Sequence, residues 1–113
     1  MKFKELFRFE KKEIDQVFKN AKQIDKIEGL KLLQSPAGQN QNFGKLLIIA
    51  SKKVGKAHKR NKIRRQLKSI FYQENLFKNP VNSIILVYKS ALNLKFEELK
   101  EFLIKNLKIN EKN

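Results

Sequence analysis

Four apolar side chains within residues 10–21, Ile14, Val17, Phe18 and Ala21, fall at i, i+3, i+4 and i+7, the spacing that gathers apolar groups on one helix face. This predicts a first amphipathic helix with that face in the core. Over residues 24–33, Ile27, Leu30 and Leu32 are interleaved with charged residues around Gly29, which predicts an edge strand poorly kept in register at the glycine, with a further strand if the segment splits there. Residues 34–44, QSPAGQNQNFG, are rich in turn formers and predict a loop between two strands.

The run LLIIA at residues 46–50 is short, continuous and β-branched, which predicts a strand buried on both faces. Residues 84–88 have the same character. A helix pattern lies between these runs, so they predict a parallel pair joined by a crossover. Asn79 and Pro80 mark the break before the second strand, because proline ends a helix and biases its predecessor towards extended geometry. Leu92, Phe96, Leu99, Leu103 and Leu107 then recur at helical spacing among Glu97, Glu98, Lys100 and Glu101 and predict a closing amphipathic helix. The order helix, strand, strand, helix, strand, helix predicts an α/β (α+β) two-layer sandwich, one domain over residues 1–113.

Charge changes this picture. Residues 29–73 hold eleven lysines and arginines and no acid, and nine of the eleven fall within SKKVGKAHKRNKIRRQLK at residues 51–68. The whole chain carries a formal charge of +15. A mixed-sign run would be an ordinary solvated helix face, but no acid lies within four residues of any base here, so intrahelical ion pairing is unavailable. So much like charge on one helix calls for a polyanionic partner, and nucleic acid is the natural candidate. No segment reaches the length of an apolar membrane span, and the first residues, MKFKELFRFEKK, lack the apolar region of a secretory signal. The expectation is a cytoplasmic protein with no membrane partner. The absence of cysteine excludes disulfides, thiolate nucleophiles and Cys-based zinc sites.

With about 100° per residue and Arg60 at zero, Ile63, Leu67, Ile70 and Phe71 occupy an arc from about 280° to 20°, the core face. Asn61, Arg64, Arg65 and Lys68 form a polar flank from about 40° to 140°, with Arg60 on the border. Arg60, Arg64 and Lys68 therefore line a groove where helix meets sheet, while Lys59 and Lys62 project to the other side. Arginine holds phosphate oxygens with a planar fork and lysine supplies a mobile point charge. Lys52 and Lys53 precede a Val54-Gly55 turn that presents amines and helix-start N–H groups to a phosphate. The expected RNA-binding set is Lys52, Lys53, Lys56, Lys59, Arg60, Asn61, Lys62, Arg64, Arg65 and Lys68.

These residues carry a family resemblance. SKKVGKAHKRNKIRR resembles the signature of the protein subunit of bacterial ribonuclease P, an Arg-Asn-Arg type motif following Lys-Lys-x-Gly, with Lys52, Lys53, Gly55, Arg60, Asn61, Lys62, Arg64 and Arg65 as its elements here. Val17-Phe18-Lys19, the IILVYK strand and the last helix extend the resemblance over nearly the whole chain. It implies binding to a catalytic RNA, in 1:1 ratio, to remove the 5′ leader of precursor tRNA with Mg2+ held mainly by the RNA. It also implies a fold like the second domain of a small-subunit ribosomal protein, with a left-handed βαβ crossover through the basic helix. Unaided, the general preference for right-handed crossovers would assign the opposite hand. The family's leader cleft lies between first helix and sheet, and the resemblance places Phe18, Arg60, Asn61, Arg64, Arg65 and Lys68 in it. An aromatic ring there stacks on an unpaired base. Departures are Ile14 and Leu30 to Leu33 where aromatics are frequent, Ala21 where glycine is common, and Lys62 in place of the second arginine.

A protein-only nuclease needs clustered carboxylates for metals, or a general base with an electrophilic partner. The acids are instead dispersed on either side of the basic block, and His58, the only histidine, has no ligand-spaced partner. The expectation is no catalytic and no metal-ligating residue in this chain. A ribosomal or general RNA chaperone using the same basic face is the alternative.

Overall fold

The computed structural model describes residues 9–38 and 41–108. Helix α1, Lys11–Asn20, begins where the Glu13 carboxylate accepts the Glu10 N–H at 3.0 Å, satisfying a donor that the first helical turn otherwise leaves open. Strands β1, Lys22–Ile27, and β2, Leu30–Pro36, follow as an antiparallel hairpin in which Ile27 faces Leu30. The interrupted edge strand expected over residues 24–33 is thus two strands. Gly29 turns the chain at φ +97°, a region open to glycine at no steric cost. A Cβ at this position would sit 2.6 Å from the Ala91 Cα. Alternation of apolar and charged residues shows strand character but not where the chain reverses.

β2 runs three residues, Gln34 to Pro36, into the segment expected to be loop. Strand β3, Lys45–Ala50, helix α2, Ala57–Gln73, and strand β4, Val81–Val87, form the expected crossover, with β3 and β4 parallel. The sheet order is β1-β2-β4-β3. Helix α3, Phe96–Leu107, closes the chain, and Leu92 belongs instead to a 3-10 turn, Lys89–Asn93.

Helices α2 and α3 cover one sheet face. Leu30, Leu32, Ile48, Ala50, Ile85 and Val87 meet Ile63, Leu67, Ile70 and Phe71 from α2 and Leu99, Phe102, Leu103 and Leu107 from α3 in one buried cluster. Asp25 of β1 accepts a hydrogen bond from Asn106 Nδ2 at 3.0 Å and lies 3.6 Å from Lys105 Nζ, fastening the hairpin to α3. α1 crosses the opposite face, where Lys45 at the start of β3 pairs with Glu13 at 2.8 Å. Because α1 covers that face only in part, β3 is not buried on both sides as expected. Ile48 and Ala50 are buried, while Leu47 and Ile49 on the other face are half-buried. β4, interior to the sheet, is the strand buried on both faces, with Ile84 and Ile85 fully enclosed.

Candidate nucleic-acid interface

The four buried residues of α2 are Ile63, Leu67, Ile70 and Phe71, the core face predicted from helical angles. Burying that stripe fixes the rotation of the helix and so fixes where every cation points. Arg60 and Arg64 are half-buried at the seam between helix and sheet, whereas Asn61, Arg65 and Lys68 are exposed. Arg64 Nη2 donates to the Ala50 carbonyl at 3.2 Å and Nη1 to Asn61 Oδ1 at 3.3 Å. Arg60 Nε donates to the Gly55 carbonyl at 3.1 Å. A guanidinium has five donors, so both forks are positioned by the fold with donors to spare. Arg60 and Arg64 thus sit at the border of the core face where helical angles put them, and Lys68 stands in solvent.

Lys52 and Lys53 lie in a 3-10 turn, Lys52–Val54, whose Val54 is buried and acts as its anchor. Their side chains, with those of Lys56, Lys59 and Lys62, are exposed. Charge is not uniform over the block. Glu13 neutralises Lys45, whose ammonium also lies 5.6 Å from the Phe9 ring centroid. Glu74, the acid that ends the basic block, pairs with Lys100 of α3 at 3.6 Å. The net positive surface therefore concentrates on residues 52–68.

The sheet face that α1 crosses supplies a floor. Alternation places Leu33 of β2, Leu47 and Ile49 of β3, and Leu86 of β4 on this face, all half-buried. About Val17, which is buried, the helical repeat puts Glu13, Gln16 and Asn20 on one side of α1 and Ile14, Phe18 and Ala21 on the other. The first side lines a cavity with Pro36, Ala37, Pro80 and Val81, at the end of β2 and the start of β4. Phe18 therefore faces the opposite half of the floor, towards the ends of β3 and β4 where Arg64 is tied to Ala50. The apolar face of α1 is thus buried only in part. Val17 is 5% exposed but Phe18 is 39% exposed, because the helix touches the sheet along one narrow line and leaves its flank open.

Tyr88, which ends an apolar run in the sequence, is a candidate that the run itself does not single out. It is 46% exposed, and the alternation through Ile84 and Leu86 brings it to the same face as Phe18. That alternation was the available signal. Among the described residues no three His, Cys, Asp or Glu side chains come together as a metal site, so these residues do not form a cage for a divalent ion. His58 is exposed at the start of α2. No helix of the described residues is long and apolar enough to cross a membrane.

Comparison with known proteins points the same way. The family model described as Ribonuclease P matches residues 3–110. The ribonuclease P protein component of Listeria monocytogenes serotype 4b is 36% identical over 72 residues, 63% of this chain and 60% of that protein. That of Phytoplasma australiense is 44% identical over 66 residues, 55% of this chain and 56% of that protein. The matched region thus spans about 60% of the length of these curated relatives. The Thermotoga maritima RNase P protein, solved in complex with 1-(4-fluorophenyl)-2-thiourea, superposes with a TM-score of 0.75 at 24% identity, covering 92% of this chain and all of that one. At that identity the likeness establishes the fold.

Proposed function

The chain belongs to the ribonuclease P protein family, and on that premise we propose that it is the RNA-binding subunit that helps a catalytic RNA remove the 5′ leader from precursor tRNA. The observation that carries this reading is the pinning of Arg60 and Arg64 to the Gly55 and Ala50 carbonyls, on a fold whose half-buried apolar sheet face carries α1 with its exposed Phe18. In this proposal these groups border a trough that fits a single strand: cations along one side meet phosphates, and an aromatic ring and apolar floor accept unpaired bases. Lys52, Lys53, Lys56, Lys59, Lys62, Arg65 and Lys68 extend the positive surface around α2 towards the catalytic RNA, with Asn61 as a neutral hydrogen-bonding group among them.

In this reading the protein contributes position and charge neutralisation to a cytoplasmic 1:1 complex. Preordered arginines offset phosphate repulsion as two RNAs approach, and the leader held in the trough orients the precursor. Phosphate contacts of this type give affinity without reading sequence. Magnesium, supplied mainly by the RNA, would provide the charge needed at the scissile phosphate. The test is the affinity of the assembled holoenzyme for precursor and for mature tRNA. The proposal requires tighter binding of the precursor, with the gain dependent on the protein. Equal affinities would leave a general RNA chaperone acting through the same basic face.

A further inference from the structure

The flank of α2 that faces away from the trough closes a second concavity. A cavity of about 940 Å³ lies between this flank, the 3-10 turn Lys89–Asn93 and the start of α3. Four lysines line it: Lys59 and Lys62 from the basic helix, Lys89 from the turn and Lys95 from the residue preceding α3. No carboxylate is among its lining residues. Glu98, close in sequence, is committed to the Lys95 backbone N–H at 2.9 Å.

The floor is apolar. Ile63 and Ala91 are buried beneath it, Leu92 and Leu94 are half-buried, and Phe96 leaves 37% of its surface open. Residues separated by about thirty positions in the chain thus converge on a cationic rim around an apolar base. A free anion would need only the rim, and an apolar peptide would be opposed by four ammonium groups that make no ion pair among the described residues. The pairing of both features matches a nucleotide, whose phosphate is anionic and whose base has an apolar face.

We propose that this cavity is a second nucleotide-binding site, which takes an unpaired nucleotide of the catalytic RNA, with its base against Phe96 and its flanking phosphates at Lys89 and Lys95. The inference rests on the function proposed above for the trough. The body of α2, about 10 Å across, separates the two sites. A leader strand lying in the trough would have to cross that helix to enter the cavity, which assigns the cavity to the RNA that remains bound.

Lys89 and Lys95 are exposed and stand outside the RNA-binding set on α2, so Lys89→Ala/Lys95→Ala should leave folding intact. With wild-type protein as reference, the double variant should bind the catalytic RNA more weakly, its log–log salt slope shallower by up to about two. Phe96→Leu, which keeps an apolar side chain, should weaken binding roughly ten-fold through lost stacking with the salt slope retained. Both variants should keep the wild-type preference for precursor over mature tRNA once assembled at saturating protein. Unchanged affinity for the catalytic RNA in both variants would overturn the proposal. Loss of precursor preference in place of catalytic-RNA affinity would also overturn it and assign the cavity to the substrate. Failure of the function proposed for the trough would show separately, as absence of precursor preference in the wild-type holoenzyme.

Discussion

Arg64 Nη2 and the Ala50 carbonyl lie 3.2 Å apart, joining the middle of the basic helix to the last residue of β3. That bond holds a guanidinium at the edge of the trough before any RNA arrives, so little side-chain freedom remains to be lost on binding.

Arg64→Ala should weaken binding to the catalytic RNA, make the salt slope shallower by about 0.9, and cost about 1 kcal/mol of stability with the lost hydrogen bonds. Arg65, exposed on the same flank, separates these effects. Arg65→Ala should change affinity and salt slope similarly while moving stability by less than about 0.5 kcal/mol. Salt titrations of binding and denaturant unfolding check both. Unchanged affinity and slope in the two variants would remove these arginines from the interface.

Phe18→Ala should reduce the preference for precursor over mature tRNA by about 1–3 kcal/mol if the ring stacks on a leader base. Phe18→Leu preserves most of the apolar contact and should lose the same preference, with near-wild-type stability. A preference retained by the leucine variant would show that Phe18 is merely packing material. Tyr88→Ala offers a parallel test of the second exposed ring on that face.

Gly29→Ala should destabilise the fold by more than about 2 kcal/mol, since φ +97° is strained for alanine and the new methyl would press on the Ala91 backbone. Thermal unfolding checks this. A wild-type midpoint would mean that the hairpin and the 3-10 turn separate without cost.

Glu13 and Lys45 give the fold an acid-dependent tie. Burial alone would raise the Glu13 carboxyl, but hydrogen bonds from Lys45 and the Glu10 N–H, together with the Lys45 charge, hold it below its ordinary 4.5. A depressed carboxyl pKa contributes stability that is present above the unfolded value and lost as pH falls through the folded one. Glu13→Gln should therefore be less stable than wild type near neutrality, by about 1 kcal/mol or less at this part-exposed pair. The gap should narrow as pH falls below 4.5 and close once the folded-state carboxyl is protonated. Urea midpoints at pH 3 to 7 measure it, and a pH-independent gap would contradict the assignment.

Much of the fold was readable from periodicity. Ile63, Leu67, Ile70 and Phe71 define one arc of a helix, and their burial follows from it, as does the seam position of Arg60 and Arg64. The partial exposure of α1 was not readable, because a helical stripe shows which side turns inward but not how wide a surface receives it. Phe18 and Val17 are neighbours on that stripe, and only the line of contact with the sheet separates their fates. The split at Gly29 was legible as a break in register, but its positive φ was not, because that answers to the Ala91 backbone, 62 residues away. Lys89 and Lys95 carried no local signal either. They stand among ordinary residues in the chain and join Lys59 and Lys62 only through the packing of α3 beside α2.

The most direct test of the central claim is cleavage of precursor tRNA by the matching catalytic RNA at limiting magnesium, with and without this protein. The account predicts that the RNA alone is slow under these conditions, that added protein restores accurate removal of the 5′ leader, and that the protein alone cleaves nothing. Cleavage unaffected by the protein, or cleavage by the protein without RNA, would contradict it.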